Sequence, residues 1–463
     1  MTASRGVVPS SFRDPSGFLF WEEGTLYRGV SVVYGDNYDH LMQSGLYESL
    51  VEAGLLVSHE EAPMEDAADG SLCRVLRPDV IPFISYPYEW SFSQLKDAAL
   101  ATLEIQRRAL DFGMSLKDAS AYNIQFAKGK PVLIDTLSFE IYREGQPWPA
   151  YRQFCQHFLA PLALMSHRDV RLSQLLRVYV DGIPLDLASS LLPLRTRLSF
   201  PLLTHIHLHA RSQKHFEDRA VDTQSRGVSR LGLLGLVGNL ESAVRKLKWN
   251  PGGTAWAEYY EDASYSPEAL EQKKRIVADF LDRARPETVW DLGANIGLFS
   301  RIACDKGMRT VSFDMDPAAV DRNYLECVER GETNILPLLL DLTNPSPNVG
   351  WENQERMCFM ERGPADAVLA LALVHHLAIG NNLPFSKMAS FFSKICRWLI
   401  VEFVPKSDPQ VQRLLRTRED IFPDYTEQSF LDAFEEYFEV ERSAGLDGME
   451  RTMFLLCNRV ERA

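Results

Sequence analysis

Long apolar runs, paired cysteines and an excess of positive charge are all missing from this chain. No stretch of its 463 residues reaches the roughly 18 uninterrupted apolar residues of a membrane span. The opening MTASRGVVPSSFRDPSG has no apolar signal core, so export is not expected. The seven cysteines are odd in number, scattered, and never form a CxxC pair, which excludes a disulfide framework and a zinc-ribbon site and points to a reducing cytoplasm. Acidic residues outnumber basic ones by 63 to 49, for a net charge of −14. Wholesale binding to nucleic-acid phosphates is disfavoured on that ground.

What is present describes a globular chain of two domains. Its 46% hydrophobic and 24% charged content is ordinary for a folded protein, while its length exceeds what a single core usually supports. GFLFWEEGTLYRGV (17 to 30) reads as a hairpin turning at Glu23-Gly24. Residues 92 to 112 carry apolar positions at helical spacing and stop at Gly113. From about 150 to 215 the pattern is mostly helical. RLGLLGLVGNLESAVRKLKW (230 to 249) has an apolar face and a basic end; its glycines and short length suit a connecting helix better than a membrane-surface one. NPGG (250 to 253) then punctuates the chain. The expected organisation is residues 1 to 222 as one domain, 223 to 251 as a connector and 252 to 463 as a second domain.

In the second domain short apolar strands alternate with helix-length segments, which implies a mostly parallel sheet whose ligand lies at the carboxyl ends of its strands. The first strand ends in DLGANIGLFS (291 to 300), where Gly293 and Gly297 permit a tight turn. Asn295 stands where a dinucleotide fingerprint has its middle glycine, and position 298 is not glycine, so a pyrophosphate cradle is poorly matched. This stretch, followed by FDMDP, ILPLLLD and ADAVLALALVHHLAI, closely resembles the motifs of class I S-adenosylmethionine-dependent methyltransferases. The resemblance implies a Rossmann-like seven-stranded sheet closed by an antiparallel hairpin, EEYFEVERSAG with RTMFLLCNR. It implies S-adenosyl-L-methionine held by Asp291, Gly293, Asn295, Gly297, Asp314 (on the ribose hydroxyls) and Asp341 (beside the adenine).

Methyl transfer requires a nucleophile in line with the methyl group, shielding from water, and at most a base. The candidate bases are His375 and His376 at the end of the fourth strand and Glu402 at the end of the fifth. The Asn-Pro-Pro-Tyr signature for amide or amine nitrogens is absent. Residues 259 to 275 lie where such enzymes place a cover, with Tyr259, Tyr260 and Tyr265 to line it.

The first domain holds SLKDASAYNIQFAKGKPVLIDTLSF (115 to 139). Its D-x4-N pattern and the Asp closing a short apolar run resemble the catalytic loop and metal-binding strand of the protein-kinase-like and aminoglycoside-phosphotransferase-like superfamily. The resemblance implies an α+β kinase-like fold, Asp118 as base, and Asn123 and Asp135 as magnesium ligands for ATP. Departures are the missing glycine-rich loop and the missing hairpin lysine; Arg28 is the nearest cation, with Glu48 or Glu52 as its expected partner. His205, His207 and His209 alternate onto one face of a short segment and read as structural.

The expected protein is thus a cytoplasmic two-domain enzyme. A kinase-like domain phosphorylates or presents a glycan, glycolipid or other small acceptor, and a methyltransferase modifies an oxygen of it. The alternatives are a pseudokinase serving as a partner-binding platform for a protein methyltransferase, and a NAD- or nucleotide-sugar-binding Rossmann enzyme.

Overall fold

The computed structural model describes residues 6–63, 70–210, 227–251, 265–416 and 418–459. The chain divides into two compact units, one of residues 1–250 with 348–356, the other of 251–347 with 357–463.

The first unit opens with five antiparallel strands, β1 (Gly6–Val7), β2 (Gly17–Glu22), β3 (Thr25–Ser31), β4 (His59–Ala62) and β5 (Leu72–Pro78), in the order β1-β2-β3-β5-β4. The β2–β3 turn sits where expected. Glu23 and Gly24 both take positive φ, +49° and +77°, as a two-residue hairpin turn requires. Helices α1 (Gly35–Gln43) and α2 (Leu46–Glu52) connect β3 to β4. Helix α3 (Phe92–Asp111) fills the predicted span, capped by a Ser91–Gln94 capping box and ended at Gly113, with φ +74°. Short strands β6 (Met114–Leu116), β7 (Ile124–Ala127), β8 (Lys130–Leu133) and β9 (Phe139–Ile141) follow, paired β6 with β9 and β7 with β8.

Two features of this unit differ from expectation. The segment read as a connector is the helix Arg230–Lys246, and it belongs to the first unit. Its Leu233, Val237, Leu240 and Val244 are buried at helical spacing, Glu241 pairs with Arg107 of α3, and Lys96 caps its end through the carbonyls of Arg245 and Leu247. The three histidines lie on helical rather than extended backbone, so His207 turns away while His205 and His209, four residues apart, share a face against Tyr151. His205 bonds Tyr151 (2.7 Å) and Asn239 (2.8 Å), and His207 bonds Ser189 (2.8 Å) and Thr196 (2.9 Å), which is the structural role foreseen.

The second unit is one mixed sheet, with β10 (Thr288–Leu292), β11 (Arg309–Asp314), β12 (Ile335–Leu339), β13 (Ala365–Ala370), β14 (Cys396–Phe403), β15 (Phe438–Gly445) and β16 (Thr452–Asn458). Their order is β12-β11-β10-β13-β14-β16-β15. The first five are parallel; β16 and β15 close the sheet as an antiparallel hairpin, as the methyltransferase resemblance implies. On one face the helix Pro267–Ala284, capped by Ser266, buries Val277, Phe280 and Leu281 against Val289, Leu369, Ile400 and Leu455. Strand order reverses between the parallel neighbours β10 and β13, so the loops after these strands splay apart and leave a crevice.

Candidate functional site

A cavity of about 260 Å³ occupies that crevice, and the loops following β10, β11, β12 and β13 line it. After β10 the chain turns through Gly293 at φ +79° and Asn295 at φ +52°. Asparagine tolerates this left-handed geometry, which is how it stands in for a glycine. Its Oδ1 accepts the Ile296 N–H (2.8 Å), while its own N–H donates to Oδ2 of Asp314 (2.8 Å). Asp316 N–H donates to the other Asp314 oxygen (2.8 Å), so two backbone groups fix this carboxylate at the end of β11. Burial nevertheless pushes Asp314 up to about 6. At the end of β10, burial pushes Asp291 up to about 7, opposed by the Ser300 hydroxyl that donates to it at 2.6 Å.

Asp291, Gly293, Asn295, Asp314 and Asp341 all line the cavity, and so does His376. Gly297 is not a lining residue. Its φ is +81°, and an added Cβ would meet Asn323 and Arg301 within 2.8 Å, so it shapes the turn into the helix Leu298–Asp305. After β13 the chain passes through Ala372 at φ +50°, a sparsely populated conformation for a residue with a Cβ, and this turn delivers His376. Burial and the charge of Arg451 lower the His376 imidazole to about 4, so it is neutral at pH 7. His375 is fully buried, with neither ring nitrogen hydrogen-bonded.

Glu402 lies behind the cavity in a charged cluster. Oε2 accepts from Lys273 at 2.6 Å, and Oε1 accepts from Tyr265 at 2.8 Å and stands 3.4 Å from Arg451. Arg451 grips Asp408 with two bonds (2.8 and 3.2 Å), and Lys273 also donates to Tyr265 (2.9 Å). Burial raises Glu402, but Lys273 and Arg451 outweigh it and keep the group below the usual range. It is therefore an ionised counter-charge, poorly suited to take a proton. Lys273 and Tyr265 line the cavity, and sequence reasoning passed over Lys273. Tyr259 and Tyr260 lie outside the described residues.

In the first unit Asp118, Asn123 and Asp135 are drawn together beyond β6, before β7 and after β8. Asp118 accepts the Ser120 N–H (2.9 Å); burial raises its carboxyl, the neighbouring Asp135 adds to the rise, and bonds from Gln153 and Asn123 oppose it. Arg28 pairs with Asp135, rather than with Glu48 or Glu52. Among the described residues no group of three or more His, Cys, Asp or Glu is arranged to hold a metal ion.

The second unit is an α/β domain of Rossmann-like build with a ligand-sized cavity at its strand ends. No protein-family model matches the chain. Nodulation protein NoeA of Rhizobium meliloti (strain 1021) is 37% identical over 457 residues, covering 97% of this chain and 95% of that protein. The chain belongs to the NoeA family. Among solved structures, the bifunctional kinase-methyltransferase WbdD matches at 18% identity and TM-score 0.29, over 43% of this chain and 42% of that one. The magnesium protoporphyrin IX methyltransferase ChlM of Synechocystis PCC 6803 matches at 16% identity and TM-score 0.31, over 44% of this chain and 92% of that one. No helix of the described residues is long and apolar enough to cross a membrane.

Proposed function

We propose that the second unit is an S-adenosylmethionine-dependent methyltransferase acting on a hydroxyl oxygen of a glycan, glycolipid or other small acceptor, with a kinase-like first unit that presents it. Kinship with the nodulation protein NoeA supports a role in nodulation. The observation that carries the reading is that one cavity gathers Asp291, Gly293, Asn295, Asp314, Asp341 and His376 from four consecutive parallel strand ends.

The residues fit the cofactor chemically. Asp314, oriented by two N–H groups, accepts from paired ribose hydroxyls, and Asp341 and Leu342 border the adenine side. The amino-acid end needs an anion for its ammonium and a cation for its carboxylate; Asp291 and Lys273 are the lining pair of that kind. When bound, the cofactor supplies a methyl group on a sulfonium sulfur. The chain's own part is to exclude water with Phe299, Leu371 and Leu377, to aim the acceptor, and to take its proton on His376. A dinucleotide is disfavoured by Asn295 and by Leu298 where a third glycine would stand. Titration calorimetry of the full chain with S-adenosylhomocysteine and NAD tests the reading, and tight NAD binding without the former would overturn it.

Lys273→Met should cost at least ~10-fold in affinity for S-adenosylhomocysteine, since a hydrogen bond to a charged group is worth about 1.5–3 kcal/mol. Affinity for methylthioadenosine, which lacks the amino-acid part, should be unchanged and also reports an intact cavity. Equal losses for both ligands would remove Lys273 from the carboxylate subsite.

The raised carboxyl of Asp291 has a stability consequence. Between its ordinary 3.8 and about 7 the folded chain holds a proton that the unfolded chain has released. Stability must then fall as pH rises through that window. Asp291→Asn, which still accepts from Ser300, should melt higher than the native chain at pH 8 and by a clearly smaller margin at pH 5, part-way down that window. A variant that melts lower at both pH values would refute the buried neutral acid.

A further inference from the structure

The phosphotransferase resemblance of residues 118 to 135 calls for a divalent cation shared by Asn123 and Asp135, and the surroundings of Asp135 do not fit one. Magnesium is held by oxygen lone pairs at short range, in a nearly regular octahedron. Both carboxylate oxygens of Asp135 are already engaged. Oδ1 takes the Arg28 guanidinium and the Leu137 N–H (3.1 Å), and Oδ2 takes the Ser138 hydroxyl. Asn123 turns its amide nitrogen to the same hydroxyl (3.4 Å) and also bonds Asp118, so its side chain is engaged as well. The Arg28 and Asp135 side chains are only 12% and 13% exposed. A dication arriving at Asp135 would have to displace a guanidinium whose Nε already lacks a partner.

The phosphate side is closed in the same manner. Between β1 and β2 the chain has no glycine turn; it places the Asp14 carboxylate 3.8 Å from Lys117 Nζ, which donates to Ser16 (2.6 Å) and lies over the Tyr34 ring. Asp14, Arg28 and Asp135 all act electrostatically on the Tyr34 hydroxyl, so the two ion pairs share one neighbourhood. Arg28 is matched by Asp135 and Lys117 by Asp14. Each of these two cations is thus neutralised by the chain itself.

We infer that Arg28 stands in the divalent cation's place on Asp135, making this a self-neutralised site that takes up no magnesium nucleotide while Arg28 is present. The inference rests on the kinase-like reading of the first unit. It makes the Arg28 guanidinium the group that a cation must first displace from Asp135. Removing the guanidinium while keeping a polar stem should uncover the site.

The test uses the full chain, with manganese alone and manganese with ATP, read by the loss of the free-ion signal in electron paramagnetic resonance. The native chain should hold no manganese at millimolar ATP. Arg28→Gln should gain ATP-dependent manganese binding at least ~10-fold tighter than the native chain, from the charge-assisted bond that no longer competes, and Arg28→Gln/Asp135→Asn should lose it again. Native binding that Asp135→Asn abolishes would overturn the inference and leave the kinase-like reading standing. A folded Arg28→Gln chain that takes up nothing would overturn both. If melting curves show Arg28→Gln to be unfolded, Arg28→Met, which preserves the packed stem, replaces it with the same expectations.

Discussion

His376→Gln is expected to lower methyl transfer by ~10²- to 10⁴-fold, the usual worth of a positioned base, while S-adenosylhomocysteine binds nearly as before. Glutamine keeps a hydrogen-bonding group in the cavity and removes the basicity, so a loss confined to turnover isolates proton transfer. Of the three candidate bases only His376 lines the cavity, since His375 is sealed from it and Glu402 is committed to Lys273, Tyr265 and Arg451. His375→Gln should therefore keep most of its rate and lose stability, because a buried ring is exchanged for a flexible amide. The imidazole sits at about 4, so with saturating cofactor the acid limb of kcat should lie near that value instead of near 6.5. Full turnover in His376→Gln would mean that alignment alone drives the reaction.

The strand-end residues were legible because a parallel sheet ties ligand chemistry to a fixed place in the chain. Each of Asp291, Asp314 and Asp341 follows a short apolar run, and all three meet at one crevice. Lys273 was not, because it sits in EQKKR (271 to 275), where a run of charges reads as a solvated helix face. A signal existed. Ala269, Lys273, Val277 and Leu281 recur every four residues, so Lys273 shares the stripe that packs on the sheet, and all four are buried. Its partner Glu402 comes from β14, a juxtaposition that only the tertiary fold creates. The same holds for Arg28, whose position on β3 gave no hint that it would meet Asp135 instead of the acids of α2. The helix Arg230–Lys246 read as a connector because the bonds that fix it come from Lys96 and Arg107, far back in the chain.

Asp314→Ala should weaken S-adenosylhomocysteine binding at least tenfold without unfolding the chain, since two hydrogen bonds to an ionised carboxylate, each worth about 1.5–3 kcal/mol, are lost together. The fold should survive because Asp314 accepts from backbone N–H groups, those of Asn295, Met315 and Asp316, at the edge of a cavity where water can replace it. A pH dependence sharpens the prediction. With the group raised to about 6 in the empty chain, a falling proportion is ionised below that value, and the protonated form gives up one of its acceptor oxygens. Affinity should hence fall as pH drops through 6, because the ligand's hydroxyl donors select the charged form, in addition to any loss near 7 as Asp291 takes up its proton. In Asp314→Asn, which is neutral at every pH, the affinity should be low throughout and that fall should vanish. Calorimetric titrations of the native chain and the Asn variant at pH 5.5 and 7.5 decide the matter; an unchanged pH profile in the variant would assign the titration to Asp291 and take the ribose from Asp314.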